Sequence, residues 1–158
     1  MSLTTLLFGF AGRINRAKYW LASLIYVVAS IAFTIIAVML IGGADLSNLL
    51  SIAGAGLSVW ALGLVFLAGI VWSSLAVIVK RLHDRDKSGW WVLVFWFGPS
   101  CLGGLQATAP PGATATALGL ASIAVTIWAF VELGCLRGTA GPNRYGPDPL
   151  DSAPVALR

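Results

Sequence analysis

Charge is what this sequence has least of. Only 10% of its 158 residues are charged, ten bases against six acids, where an average soluble domain carries about a quarter. A water-soluble fold of this size has a large surface to wet, and so few ionisable groups do not cover it. An ordinary soluble enzyme is thereby excluded. The 58% apolar content and mean hydropathy of +0.89 likewise exclude a disordered chain. Cysteine is as scarce: Cys101 and Cys135 make no disulfide scaffold. The single histidine, His83, has no cysteine beside it, so no metal-ligand set is present. Gly-x-Ser-x-Gly, Walker and Cys-His patterns are also missing. The expectation is a protein without catalytic residues, cofactor or metal.

The charges that do occur are widely separated. None lies between Lys18 and Asp45, between Asp45 and Lys80, or between Lys87 and Glu132. A helix crossing the hydrocarbon needs about 20 apolar residues. The first two runs each hold one crossing, and the third holds two with Pro110-Pro111-Gly112 as the turn. No segment alternates like a membrane-barrel strand. The expected fold is therefore an all-α, four-helix transmembrane bundle in one membrane domain over 1–149. Its spans fall at about 19–41, 57–79, 90–105 and 117–136. The first is too long for the apolar core of a signal peptide, so it reads as uncleaved. The third is short and carries Gly98-Pro99, which predicts a kink at Pro99. Leu3, Leu6, Leu7 and Phe10 predict a short interfacial helix at about 3–12. A disordered tail is expected over 150–158.

Lysine and arginine fall in three segments: Arg13 to Lys18, Lys80 to Lys87, and Arg137 onward. The loops around Asp45 and Pro110 have none. The positive-inside rule then puts both termini on the cytoplasmic side of an inner membrane. Each basic segment also carries a motif. The first is Gly12-Arg13-Ile14-Asn15-Arg16, with Asn15 as an N-cap for the first span and Trp20 as a belt aromatic. The second is Arg81-Leu82-His83-Asp84-Arg85, followed by Ser88-Gly89-Trp90-Trp91, read as a tight turn between spans. The third is Gly138-Thr139-Ala140-Gly141-Pro142-Asn143-Arg144-Tyr145-Gly146, whose composition encodes successive turns.

These three motifs, in this order from Gly12 to Pro149, resemble the domain of unknown function 805 family. Lys80 departs from the pattern, where a second arginine is expected. The resemblance implies a small bacterial inner-membrane protein with four spans, and it implies no chemistry.

Short loops on one face of a small bundle lie close together, so the three segments are expected to form one basic patch. Its candidate anion- or partner-binding residues are Arg13, Asn15, Arg16, Arg81, His83, Asp84, Arg85, Ser88, Gly89, Trp90, Asn143, Arg144 and Tyr145. Arginine forks and Gly-rich turns suit a phosphate, and cations at the headgroup level attract anionic lipid. The partners expected are lipid headgroups, a membrane protein or further copies of the chain, and not nucleic acid. Setting topology alone is the plainer role for the same charges. Within the bilayer, Trp72, Trp96 and Trp128 lie about 9–12 Å from the basic ends of their spans. They either line one cavity or face lipid. Glu132 is the one acid inside a span, with Arg81 or Lys80 as its expected partner, or else Arg137 or water. A subunit of a small oligomeric transporter or channel is the alternative, suggested by the interrupted third span.

Overall fold

The computed structural model describes residues 2–43 and 47–151. The loop around Asp45, and the expected tail from residue 152 on, lie outside them. Among the described residues five α-helices follow one another: α1 (Leu3–Phe8), α2 (Arg16–Gly42), α3 (Leu49–Asp84), α4 (Gly98–Thr108) and α5 (Ala113–Phe130). Two π turns flank the second pair, Leu93–Phe97 before α4 and Val131–Cys135 after α5. No extended strand occurs among the described residues, only one bridge between Asn143 and Gly146.

Local chemistry sets the helix ends. Ser2 and Asn15 accept the N–H groups of Thr5 and Lys18, capping α1 and α2. The chain turns through Pro110-Pro111-Gly112, and α5 starts after Gly112 at φ 147°. α3 runs further than expected, straight through Lys80 to Asp84. It closes with a Schellman motif: Asp86 donates to His83 O at 3.0 Å and Lys87 to Leu82 O at 2.9 Å. Asp86 takes the left-handed position at φ 55°, which glycine usually fills. The supposed loop of the second motif is thus mostly helix.

The third expected span also differs. Helix begins at Trp91 and continues to Thr108, with the π turn placed just before Gly98-Pro99. A proline ring clashes with the i−4 carbonyl, and the widened turn takes up that misfit. Pro99 then sits in the first turn of α4, just past the π turn.

Among the described residues, three helical stretches are long and apolar enough to cross a membrane: Arg16–Gly42, Ser51–Asp84 and Ala113–Cys135. The helices pair as two hairpins. Phe33 stacks on Phe66 and Tyr26 bonds Ser73 between α2 and α3. Ser122 of α5 donates to Pro99 O of α4 at 3.1 Å. Between the hairpins, the π turn Val131–Cys135 comes close to α2 and α3, and Thr139 N–H donates to Asp84 O of α3 at 2.8 Å. Within the expected all-α fold, the helices form two hairpins fastened at the basic end. The reason is physical: lipid is as apolar as leucine, so bare apolar faces have no drive to close on each other. Two small cores sit at the fastening, Leu6, Ile14, Ala22 and Val77 in one, Leu82, Val92, Phe95 and Leu133 in the other, with Tyr19 packed against both.

Candidate functional site

Asp84, in the last turn of α3, is the hub of the basic end and only 2% exposed. Its Oδ1 accepts from Arg13 Nε and Nη2 at 3.2 and 3.1 Å, and its Oδ2 accepts from Arg81 Nη1. Arg13 and Arg81 are themselves buried. Arg13 spends its remaining donors on the third segment, at Thr139 O (2.6 Å), Gly141 O (2.8 Å) and Gly146 O (3.3 Å). Gly138 passes so close that a Cβ there would lie 2.0 Å from Asp84 Oδ2. One carboxylate therefore joins all three motifs. Among the described residues no buried side-chain polar atom lacks a partner, as a buried ionic network requires.

The second construction is a row of capped carbonyls. A helix end leaves its last C=O groups without partners and carries partial negative charge. Here every carbonyl from Leu133 to Arg137 accepts a side-chain N–H. Arg81 donates to Leu133 (2.7 Å) and Leu136, Trp20 to Gly134 (3.1 Å), Arg16 to Cys135 (3.1 Å) and Arg85 to Arg137. The cations of the first two motifs thus hold the end of the second hairpin. Lys80 does the same for α1, with Nζ on Thr5 O at 2.7 Å and Leu6 O at 2.5 Å.

His83 joins the motifs a second time. Its ring stacks on Tyr145 at 3.8 Å, Nδ1 lies 3.3 Å from Gly12 O, and its carbonyl accepts from Asn143 Nδ2 at 2.9 Å. Asn143 Oδ1 accepts from Tyr145 N, which fixes the turn. Arg144 pairs with Asp86 at 3.2 Å and covers the Tyr145 ring. Asp148 accepts from the N–H groups of Leu150 and Gly141, and these bonds hold its carboxyl below the usual range.

The expected residues therefore divide into two sets. Arg13, Asn15, Arg16, Arg81, His83, Asp84, Arg85, Asn143, Arg144 and Tyr145 meet at one junction. Ser88, Gly89 and Trp90 do not join it; they form the turn into the next helix and line a separate apolar hollow with Phe10 and Leu75. The basic patch is also less exposed than expected, because Arg13, Lys80 and Arg81 are buried as internal donors. Glu132 pairs with Arg85 at 3.0 Å and Lys87 at 3.8 Å, not with Arg81 or Lys80, whose donors are already committed. The three tryptophans have different surroundings. Trp72 meets Phe10 edge-on, Trp128 meets Trp91 and Phe95, and Trp96 lines a hollow of about 410 Å³ with Tyr19 and Ser74. Cys101 and Cys135 are free thiols. Residues missed as site members are Lys80, Arg137, Gly138, Thr139 and Asp148; the fixed glycine spacing of the third motif was the available signal for the last three.

One small cavity opens at this junction. It holds about 150 Å³ and is lined by Asn15, Arg16, Asp84, Arg137, Gly138, Asp148 and Leu150.

Fold and junction together define a class: helical proteins with several membrane-length apolar helices, closed at one end by a buried ionic knot of three short motifs. The chain belongs to the family described as "Protein of unknown function (DUF805)", which matches residues 7–147. It is 32% identical over 152 residues to the "Uncharacterized protein YiiR" of Escherichia coli strain K12, covering 96% of this chain and 92% of that one. It is also similar to two proteins of the same strain named as inner membrane proteins. To YhaI it is 29% identical (89% of this chain, 86% of the relative), and to YhaH 30% identical (89% and 87%). No solved structure matches the chain.

Proposed function

We propose that this is a four-span protein of the bacterial inner membrane, with both termini cytoplasmic, that has no catalytic role and binds anionic headgroups at its basic end. The relatives named inner membrane proteins support the location. The four-span count adds the helical stretch from Trp91 to Thr108, about 27 Å at helical rise, to the three longer helices. Orientation rests on all the described lysines and arginines belonging to the three segments that meet at one end.

One observation carries the binding reading. After the internal pairs are made, and with Lys80 buried on the α1 carbonyls, Arg16, Lys18 and Arg137 remain on that end without an ion pair among the described residues. Each such cation near a membrane surface contributes about 1 kcal/mol of attraction to anionic lipid. The transporter alternative has less to stand on, since Asp84 and Glu132, the acids of the described membrane-length helices, are both already paired.

Two measurements test this. Cysteines placed at Asp86 and Asp148 should be shielded from an impermeant thiol reagent in intact spheroplasts, and one at Pro110 should react. Labelling of Asp86Cys from outside overturns the orientation. Purified protein in mild detergent should retain phosphatidylglycerol over phosphatidylcholine by native mass spectrometry, and equal retention overturns the headgroup reading.

A further inference from the structure

We infer that the cavity between Arg16 and Arg137 is a specific phosphate site, taking either a lipid phosphodiester or a free phosphate. The inference deepens the headgroup reading above and rests on it. The cavity stands at the N-terminus of α2, the positive end of a 27-residue helix. Arg16 spends one N–H on Cys135 O, and Arg137 donates none of its own among the described residues. Both guanidinium groups therefore keep donors for an oxyanion, in the planar fork that phosphate accepts. The cavity wall also contains Asp84 and Asp148. Asp84 is paired with both Arg13 and Arg81, whereas Asp148 keeps its negative charge while accepting two backbone N–H groups, so the arginines must outweigh it. Counting Arg13, Arg16, Arg81 and Arg137 against Asp84 and Asp148, the neighbourhood keeps two positive charges. Gly138 lines the cavity beside Asp84, where a Cβ would meet the carboxylate. About 150 Å³ suits a phosphate group and not a whole lipid, whose glycerol and chains would lie outside.

The test compares Arg137→Gln, Arg16→Gln/Arg137→Gln and Lys18→Gln in the full chain. Arg137 caps no carbonyl, so its single variant keeps the experiment sound should the double variant fold poorly. Native mass spectrometry with phosphatidylglycerol and thermal unfolding with inorganic phosphate are the two arms. At about 1 kcal/mol per arginine, phosphate-ester binding should weaken about fivefold in Arg137→Gln and roughly twenty-five-fold in the double variant. Lys18→Gln, which does not line the cavity, should stay within about twofold. Stabilisation of the wild type by inorganic phosphate, lost in Arg137→Gln, assigns the site to a free phosphate. Selective lipid retention without that stabilisation assigns it to a phosphodiester headgroup. Equal weakening by Lys18→Gln and Arg137→Gln overturns the site and leaves the headgroup reading intact. Binding of neither probe by the wild type overturns both.

Discussion

At the scale of single residues, the structure turns on how a buried carboxylate is satisfied. Breaking a buried ion pair from one side leaves charge without compensation and costs about 3–5 kcal/mol. Asp84→Asn should fall in that range by thermal unfolding in detergent, because Arg13 and Arg81 stay buried with nothing to neutralise them. Two glycines of the third motif make a sharper comparison. Gly138→Ala puts a methyl 2.0 Å from Asp84 Oδ2 and should destabilise by about 2–4 kcal/mol by displacing the carboxylate. Gly141→Ala meets open space and faces only a positive φ of 72°, so about 1 kcal/mol is expected. A reversed order in these melts would show that the close approach is not what fixes Gly138. Part of this chemistry was legible in the residues themselves: Asn15 reads as a cap, and the three basic segments read as one patch. Their partners were not legible. Arg81, Arg16 and Arg85 donate to backbone carbonyls, and a carbonyl acceptor leaves no mark on a sequence.

At the scale of elements, charge misled where geometry prevailed. Lys80 to Asp84 read as a loop because four of the five side chains are polar or charged. Yet Arg81 and Asp84 stand three apart on a helix and pair, and Lys80 reaches α1, so the helix continues until Asp86 closes it. The π turns were not legible either, since only Gly98-Pro99 hinted that a turn would change its pitch. The turn segment after Gly138 has its own pH dependence. The Asp148 carboxyl is held below its usual range by the N–H groups of Leu150 and Gly141. A carboxyl depressed in the folded state contributes stability that is present above its unfolded value, near 3.9, and is lost as pH falls through the lower folded value. Protection of the Gly141 and Leu150 amides from hydrogen exchange, corrected for intrinsic rate, should therefore fall below about pH 4. Asp148→Asn should show weaker protection with no such pH step. A step of the same size in that variant would assign the effect to another group.

At the scale of the whole molecule, two hairpins held at one end make a lever. Phe33–Phe66 and Ser122–Pro99 stiffen each hairpin internally, whereas the backbones of the two meet at the basic end, through the π turn Val131–Cys135 and the Thr139 N–H bond to Asp84 O. From Leu21 to Met39, α2 rises about 27 Å, so a swing of about 10° at the junction moves its far end by about 5 Å. Spin labels in a nanodisc would read this directly. The pair at Leu21 and Ile127, near the fastening, should give a narrow distance distribution. The pair at Met39 and Thr116, at the far end, should give a broad one. Equal widths would mean that the hairpins close along their length or that another copy clamps them. Gly134→Ala supplies the control, because its Cβ would meet Trp20 Cζ2 at 2.8 Å, beside the Trp20 bond to the Gly134 carbonyl. Loosening that contact should broaden the near pair as well, which a clamp elsewhere along the helices would prevent.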